Sequence, residues 1–410
     1  MERLIFVNRY FAPDHSATSQ ILSDVAFHLA KVGKEVHVIA GNQLYDDPHA
    51  SLPLKESICG VHVSRVNSTR FGRKAIYGRS IDYLTIYASM RHAALQITRP
   101  GDILIAKTDP PLLSVVLANV ARRRNAHLVN WLQDLYPEVA VRLGVPFMGG
   151  SLSRGLTNLR DRSLLVAAKN VALGEVMAER VRGRGVSADK TCVIHNWADE
   201  QQITPVASSD NPLRAEWRLK NKFIVGYSGN LGKAHEFGTL LDAANRLREL
   251  PQICFLFIGG GGRIQELMRA VEQRGLKDRF VFQPYQDRGR LNYSLSLPDV
   301  HWISLRPELE GLIVPSKLYG AIAAGRPIIA VTARDGEIAR IVAESGCGLV
   351  VEPGEGAAFA NAIAQLACNP EQCREMGLQA RKTSEDRFSQ ARAFQQWEHL
   401  FANIHPHQPA

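Results

Sequence analysis

The chain alternates short, uninterrupted apolar runs with longer stretches in which apolar residues recur at helical spacing. Leu4–Asn8 reads as a buried-type strand, and Ile21, Leu22, Val25 and Leu29 mark a helix from about Ser19 to Val32. Gly33 closes that helix and Glu35–Ala40 is the next strand. Such a β-loop-α-β unit builds parallel sheets with right-handed crossovers. The pattern returns with Asp102–Lys107 as strand, Pro111–Arg123 as helix and His127–Gln133 as strand, followed by short strands at Val171–Gly174 and Thr191–His195. Between about Asp199 and Leu219 it lapses into polar residues, which marks a linker. A second round opens with Phe223–Ser228 as strand and Gly238–Leu250 as helix. More strands are expected at Ile253–Gly259, Phe280–Gln283, Val300–Leu305, Pro327–Val331 and Gly348–Val351. The fold class predicted is α/β, with two doubly wound Rossmann-like domains facing across a cleft and ligand crevices at the carboxyl ends of the strands. A last apolar-periodic segment, Ala391–Ile404 with Phe394, Trp397 and Phe401, is expected to pack back on the first domain.

Candidate chemistry sits in the strand-end loops. Residues 308–331 combine an acidic loop, a turn at Pro315, and Ser316 as a helix N-cap before the run Lys317–Ala324. Gly325 stops that helix, and Pro327–Val331 follows as a strand. A helix start with unpaired N–H groups, joined by the charge of Lys317, suits an anion such as a phosphate. In Asn8–Gln20 the small residues Ser16, Ala17 and Thr18 let backbone approach a ligand, and in Trp131–Glu138 Gln133 and Asp134 fall at a strand end. Tyr227–Glu236 offers Gly229 and Gly232 for close approach, with Lys233 and His235 to neutralise phosphate. It lacks the spacing of a P-loop, so ATP hydrolysis is not supported. The four glycines of Ile258–Arg263 lack the acidic residue that a dinucleotide site would place on a following strand. Each loop also has an ordinary structural explanation as a capped turn.

Composition narrows the classes. Hydrophobic content of 45% and charged content of 22% are those of a globular protein, and no run approaches the roughly 20 apolar residues that cross a bilayer. Met1-Glu2-Arg3 leads straight into the first apolar run, without the pattern of a secretory leader. Six cysteines (Cys59, Cys192, Cys254, Cys347, Cys368 and Cys373) show no C-x-x-C spacing, which speaks against zinc and for a reducing, cytoplasmic setting. The formal charge is +9, and residues 1–200 carry 25 Lys and Arg against 18 Asp and Glu. That excess lies at Arg65, Arg70, Arg73, Lys74, Arg79, Arg122–Arg124, Arg154, Arg160, Arg162, Lys169, Arg180, Arg182 and Arg184. It suits anionic lipid or phosphorylated ligands, or is a plain solvated face. Nucleic acid is disfavoured, because no aromatic stacking set interleaves with the basic residues. No nucleophile–base order or metal-ligand cluster stands out, which favours a substrate that carries its own leaving group.

Taken in order, the segments Y-F-A-P-D-H-S-A-T-S-Q, W-L-Q-D-L-Y-P-E, V-I-H-N-W-A-D, Y-S-G-N-L-G-K-A-H-E, F-I-G-G-G and V-P-S-K-L-Y-G-A-I-A-A-G-R-P-I-I-A resemble the family-4 retaining glycosyltransferases of the two-domain GT-B fold. The likeness is to bacterial members that build surface polysaccharide, such as colanic-acid and O-antigen transferases. The resemblance implies an acceptor domain at 1–205, a nucleotide-sugar domain at 206–385, and a C-terminal helix at 386–410. It implies catalytic roles for Asp134, Lys233, Lys317 and Glu310, and nucleotide contacts at Gly229, Asn230, Pro284, Tyr285, Ser316 and Leu318. Ser16, Ala17, Thr18, Gln133 and Asn196 would face the acceptor. The expected donor is a nucleoside-diphosphate sugar and the acceptor a lipid-linked saccharide at the inner membrane face, with no cofactor and no metal. The chain departs from the family where two glutamates would fall on Leu312 and Gly320, and where an Arg and a Lys fall on Asn230 and about His235. A usual His-Asp reads Gln133-Asp134. Alternatives are a GT-B epimerase or hydrolase, or a catalytically silent nucleotide-sugar-binding protein.

Overall fold

A computed structural model describes residues 3–45, 47, 50–69, 71 and 76–404; within 76–80 only Gly78 has a described side-chain environment. The chain divides into two compact units, the first running through His195 and resuming at Phe394, the second spanning Asn196–Ala393.

The first unit is built on an eight-stranded sheet. Its strands are β1 (Leu4–Val7), β2 (Val36–Gly41), β3 (Lys55–Ile58), β4 (Val61–Val66), β5 (Ile103–Lys107), β6 (His127–Trp131), β7 (Lys169–Ala172) and β8 (Thr191–Val193). Their order is β3-β4-β2-β1-β5-β6-β7-β8, parallel throughout except for β3 against β4. β1, β5 and β6 are buried along their whole length, as strands covered on both faces by helices must be. The β3–β4 hairpin was not expected. Its turn residues Cys59 and Gly60 both have positive φ (50° and 82°), and a cysteine in the first of these positions carries no turn signal in the sequence.

The second sheet holds β9 (Phe223–Asn230), β10 (Ile253–Gly260), β11 (Phe280–Gln283), β12 (Val300–Ser304), β13 (Ile328–Val331) and β14 (Gly348–Val351). Its order, β11-β10-β9-β12-β13-β14, is all parallel and reverses direction between β9 and β12. One face packs Tyr227, Phe255, Phe257 and Trp302 under the helices Gly238–Arg246, Ile264–Gln273 and Gly356–Cys368. The other buries Leu318, Tyr319 and Ile322 of the Lys317–Ala323 helix against Ile303, Ile328 and Ile341. Gly325 ends that helix in the left-handed region (φ 65°), and Arg326 N–H reaches back to the Ala321 carbonyl.

Both domain edges differ from expectation. The polar run 199–219 is part of the second unit, because its polar groups are satisfied inside it. Asn211 caps the Pro212–Glu216 helix through the Leu213 N–H (3.1 Å), and buried Arg214 binds Asp299 (2.6 Å) and the Leu297 carbonyl (3.0 Å). Ala198 and Ile203 lie in the same core as Leu318. The boundary therefore falls at 195/196 rather than 205/206. The chain returns to the first unit at Phe394, within the helix Gln390–Ala402, where Trp397 packs on Trp131 (ring centroids 4.5 Å apart) and Phe401 on Phe6 (6.2 Å).

The basic excess is partly internal. Arg65 is buried against Glu56 and the carbonyls of Pro53 and Ala12, and Arg160 is buried against Asp161 (2.7 Å) and Glu138 (2.5 Å). Arg122–Arg124 are exposed in the last turn of the Leu113–Arg124 helix, where cations offset the helix dipole. Arg70, Arg73, Lys74 and the side chain of Arg79 lie outside the described residues.

Candidate active site

The reversal of strand order between β9 and β12 opens the second sheet at its carboxyl edge, the usual place for a ligand in a doubly wound fold. β12 pairs with β9 only through Val300–Val225 and His301–Gly226, whereas β10 stays in register with β9 as far as Gly260–Asn230. The ends of β9 and β12 therefore diverge, and the loop after β9 folds into the space between them. His235 is buried there, with Nδ1 2.7 Å from the Ser304 carbonyl. A carbonyl only accepts, so Nδ1 carries the proton and donates it. The neutral ring then has its lone pair on Nε2, which lies 3.1 Å from Lys317 Nζ and accepts from it. Burial, reinforced by the Lys317 charge, pushes the His235 pKa down to about 3. His235 is therefore a neutral acceptor that holds a lysine, not the cation expected for neutralising phosphate.

Lys317 runs along the backbone of Gly229. A Cβ on Gly229 would come within 3.2 Å of Lys317 Cε, and the residue's φ of 125° also favours glycine. Nζ lies 5.3 Å from the centroid of the Tyr227 ring. Burial lowers the Lys317 pKa to about 8, so the ammonium is the majority form at neutral pH but poorly hydrated. Such a cation gains much from a dianion that replaces its missing water.

Two glycine-rich strand ends form the floor beside it. A Cβ on Gly259 would meet the Gly229 carbonyl at 2.4 Å, and one on Gly261 would meet Asn230 Oδ1 at 2.3 Å. The loops are tied by Leu231 N–H to the Gly260 carbonyl (2.7 Å) and Arg263 N–H to the Leu231 carbonyl (3.1 Å). Tyr285 lies over this shelf, its ring 3.1–3.3 Å from where Cβ atoms of Gly259 and Gly260 would stand, and it is 61% exposed. An exposed ring on a glycine shelf is a stacking platform. Pro284 and Lys233 are exposed beside these loops.

The other expected residues are placed less simply. Ser316 occupies the N-cap but its hydroxyl makes no capping bond, because its backbone is already helical (φ −66°, ψ −15°). Leu318 is fully buried in the core, so only its backbone lies at the helix start. Glu310 is buried and accepts from the Thr332 hydroxyl, and a Cβ on Gly336 would run into its carboxyl. A Cβ on Gly320 would stand 3.3 Å from Leu295 Cδ1, so a glutamate there has to displace Leu295. Asn196 is buried in the second unit.

Burial raises the Glu310 pKa to about 7, against the lowering effect of Thr332. A carboxyl that holds its proton more tightly when folded contributes stability below its unfolded pKa near 4.5, and this is lost as pH rises to about 7. Glu310→Gln cannot ionise, so it is expected to raise stability at pH 8 by on the order of 2 kcal/mol and to change it little at pH 5. Denaturant titrations at the two pH values check this. Equal effects at both would mean the carboxyl is not held neutral.

In the first unit the corresponding strand ends bring together Lys107, Trp131, Gln133, Asp134 and Thr18. Lys107, the last residue of its strand and without any signal of its own in the sequence, is buried with Nζ on the Thr18 carbonyl (2.7 Å) and 4.1 Å from the Trp131 ring centroid. Burial lowers its pKa to about 7, against the opposing charges of Asp109 and Asp24. Burial, then Asp109, raises Asp134 to about 7. Gln133 N–H donates to Thr108 Oγ1 (2.7 Å). Asp14, rather than Ser16, organises the start of the Ala17–Lys31 helix, accepting from Ser16 N–H (2.8 Å) and Tyr45 N–H (2.5 Å).

Residues 210–383 match the family model described as "Glycosyl transferases group 1". The chain is 29% identical over 271 residues to "Probable glycosyltransferase WbjE" of Pseudomonas aeruginosa, which covers 65% of this chain and 66% of that protein. It is 28% identical over 256 residues to "Putative colanic acid biosynthesis glycosyl transferase WcaI" of Escherichia coli K12, covering 61% and 62%. The matched region thus spans just under two thirds of these relatives' length. Among solved structures, the sucrose-phosphate synthase of Thermosynechococcus elongatus superposes with a TM-score of 0.80 at 18% identity, covering 98% of this chain and 99% of that one. Anabaena Alr3699/HepE in complex with UDP superposes with a TM-score of 0.72 at 18% identity, again covering 98% and 99%. With its two parallel-sheet, Rossmann-like units this chain has the GT-B glycosyltransferase fold, and its second unit carries a glycosyl transferases group 1 domain.

Proposed function

We propose that this protein is a family-4 retaining glycosyltransferase, moving a sugar from a nucleoside-diphosphate sugar to a lipid-linked saccharide during cell-surface polysaccharide synthesis. The observation that carries the reading is Lys317. It is a desolvated ammonium, oriented by a neutral His235, beside a glycine floor at the strand-order reversal of the group 1 domain. A diphosphate fits this arrangement. Lys317 meets its charge, exposed Lys233 adds a second cation, the Gly229–Asn230 backbone allows close approach, and Tyr285 offers a face to the base. UDP in the complex of Anabaena Alr3699/HepE makes uracil the first base to test.

In this reading the bond from the anomeric carbon to the diphosphate breaks with its electron pair going to the phosphate oxygen, where Lys317 and Lys233 stabilise it. The acceptor oxygen bonds the same face of that carbon, and its proton passes to the departing phosphate. Asp134, Gln133 and Ser16–Thr18 belong to the acceptor's side, Asp134 as a hydrogen-bond donor while it keeps its proton. The charge is met by lysines, and the step calls for no metal. Thermal-shift measurements with UDP, GDP, ADP and CMP are the direct test, followed by nucleotide release from the matching sugar nucleotide with and without lipid-linked saccharides. One nucleoside diphosphate is expected to raise Tm, and release is expected to need an acceptor. Binding without release under any acceptor would make the protein a silent nucleotide-sugar binder.

A further inference from the structure

The carboxyl ends of β1, β2 and β4 carry a cluster that the lysine site of the second unit does not use. Arg9 stands just beyond β1 with its backbone fixed on both sides. Its N–H donates to the Asp109 carbonyl (2.6 Å), and its carbonyl accepts from Gly41 N–H (2.8 Å). The half-buried guanidinium lies 5.3 Å from the Tyr10 ring centroid and 5.6 Å from that of Tyr83, on the Ile76–Ile97 helix. Ring faces hold the charge but accept no strong hydrogen bond, and among the described residues no carboxylate pairs with this arginine. Its N–H edge is left for a ligand. Tyr45 meets Tyr10 edge-on (5.6 Å, 78°) and is 38% exposed, with its backbone N–H held by Asp14 (2.5 Å). Two amide pairs close the cluster. Buried Gln43 donates to Ser68 Oγ (3.2 Å), and exposed Asn67 accepts from buried Asn42 through Oδ1 (2.7 Å), so its own amide N–H groups remain to donate.

We infer that this cluster is a saccharide subsite selecting an acidic sugar, with Arg9 forked onto the oxyanion, Tyr45 against the C–H face of the sugar ring, and Asn67 and Ser68 on its hydroxyls. The chemistry of the groups selects that ligand. An oxyanion matches the planar guanidinium fork, and a hydroxyl-rich ring matches amide and hydroxyl groups set beside one exposed aromatic ring. A run of stacked nucleobases needs open ring faces, and Arg9 already covers those of Tyr10 and Tyr83. The oxyanion has two possible sources, the carboxylate of a uronic acid or the phosphate of a glycosyl phosphate. The inference deepens the proposed function by giving the acceptor an anionic group that Arg9 reads, and it rests on that reading for the acceptor's identity. Occupation of the subsite requires no nucleotide.

Saturation-transfer NMR on the full chain, without nucleotide, tests it with glucuronate, glucose 1-phosphate, glucose and inorganic phosphate. At least one of the acidic sugars is expected to bind about tenfold more tightly than glucose, less so at high salt, and the better of the two identifies the source of the anion. Arg9→Gln should bring that sugar down to the affinity of glucose, whereas Arg9→Lys should keep part of the preference. Tyr45→Ala should weaken all three sugars alike, by roughly fivefold, and leave the preference intact. A thermal shift with nucleoside diphosphate, which binds the other unit, is expected in every variant and shows that each is folded. Equal binding of glucose and the acidic sugars, a preference that survives Arg9→Gln, or no saccharide bound would overturn the assignment, whether or not a nucleotide raises Tm. So would inorganic phosphate that binds as tightly as glucose 1-phosphate, since the site would then read an anion without a sugar. Selective sugar binding with no nucleotide shift would instead leave the subsite standing and remove the proposed function.

Discussion

Lys317→Ala is expected to weaken nucleoside-diphosphate binding by roughly ten- to a hundredfold, the equivalent of about 1.5–3 kcal/mol for one charge-assisted hydrogen bond. The size follows from the environment of Nζ. Burial has already removed much of its water, and the side chain it meets is the neutral acceptor of His235. An arriving phosphate thus meets an ammonium that has little to give up. The pH dependence separates this from a loss of shape. With Lys317 titrating at about 8, affinity should be flat at lower pH and fall as pH rises through that value, because only the protonated amine binds. His235, held near 3, stays neutral over that range and adds no break. Lys317→Arg keeps a charge that does not titrate there, so its profile should lose the fall above pH 8 even if its affinity is lower. Calorimetric titration of the three proteins between pH 6.5 and 9.5 decides it, at order-of-magnitude resolution in Kd. Unchanged affinity in the alanine variant would remove this lysine from the site.

The sequence made the sheets legible because a parallel strand buried on both faces is a continuous apolar run, which L-I-F-V and I-I-A-V display without ambiguity. It made the glycine loops legible for a related reason: positive φ and close backbone approach at Gly229, Gly259 and Gly261 admit few other residues. Side-chain roles were harder to read. A histidine in a loop suggests a cation by its type, and only the Ser304 carbonyl on Nδ1 and the burial of the ring reveal it as an acceptor. Lys107 gave no signal, since an exposed lysine at a strand end and a buried one on a tryptophan face have the same letter. The polar run 199–219 has the composition of a linker, and its place in the second unit is not visible in it because burial of Asn211 and Arg214 depends on partners more than eighty residues away, Leu297 and Asp299 among them. Exposed apolar residues on the Gly150–Val166 helix were hidden for the opposite reason. Their helical spacing is the same whether the face turns inward or outward.

Trp397→Ala is expected to cost the first unit about 3–5 kcal/mol, the usual range for deleting a fully buried large aromatic side chain. Trp397 has no exposed surface and sits between Trp131 (4.5 Å) and Phe401 (5.5 Å), far along the chain from the unit it completes. His28 stacks on Phe394 of the same helix (4.2 Å) and meets Glu398 (2.6 Å), so the whole segment from Phe394 is anchored to the first unit. Trp397 also backs the ring on which Lys107 rests. A cavity there lets Trp131 turn, and the lysine loses its cation–π face while the Thr18 carbonyl alone retains it. Stability and the strand-end cluster should therefore fail together in the first unit, while the second unit, whose core contains none of these residues, keeps its stability. Hydrogen exchange resolves the two, with protection falling in β1, β5 and β6 and holding in β9 and β12. Trp397→Phe keeps a ring against Trp131 and should lose well under half as much. If exchange rose equally in both sheets, or in neither, the C-terminal helix would not be the local brace that its contacts describe.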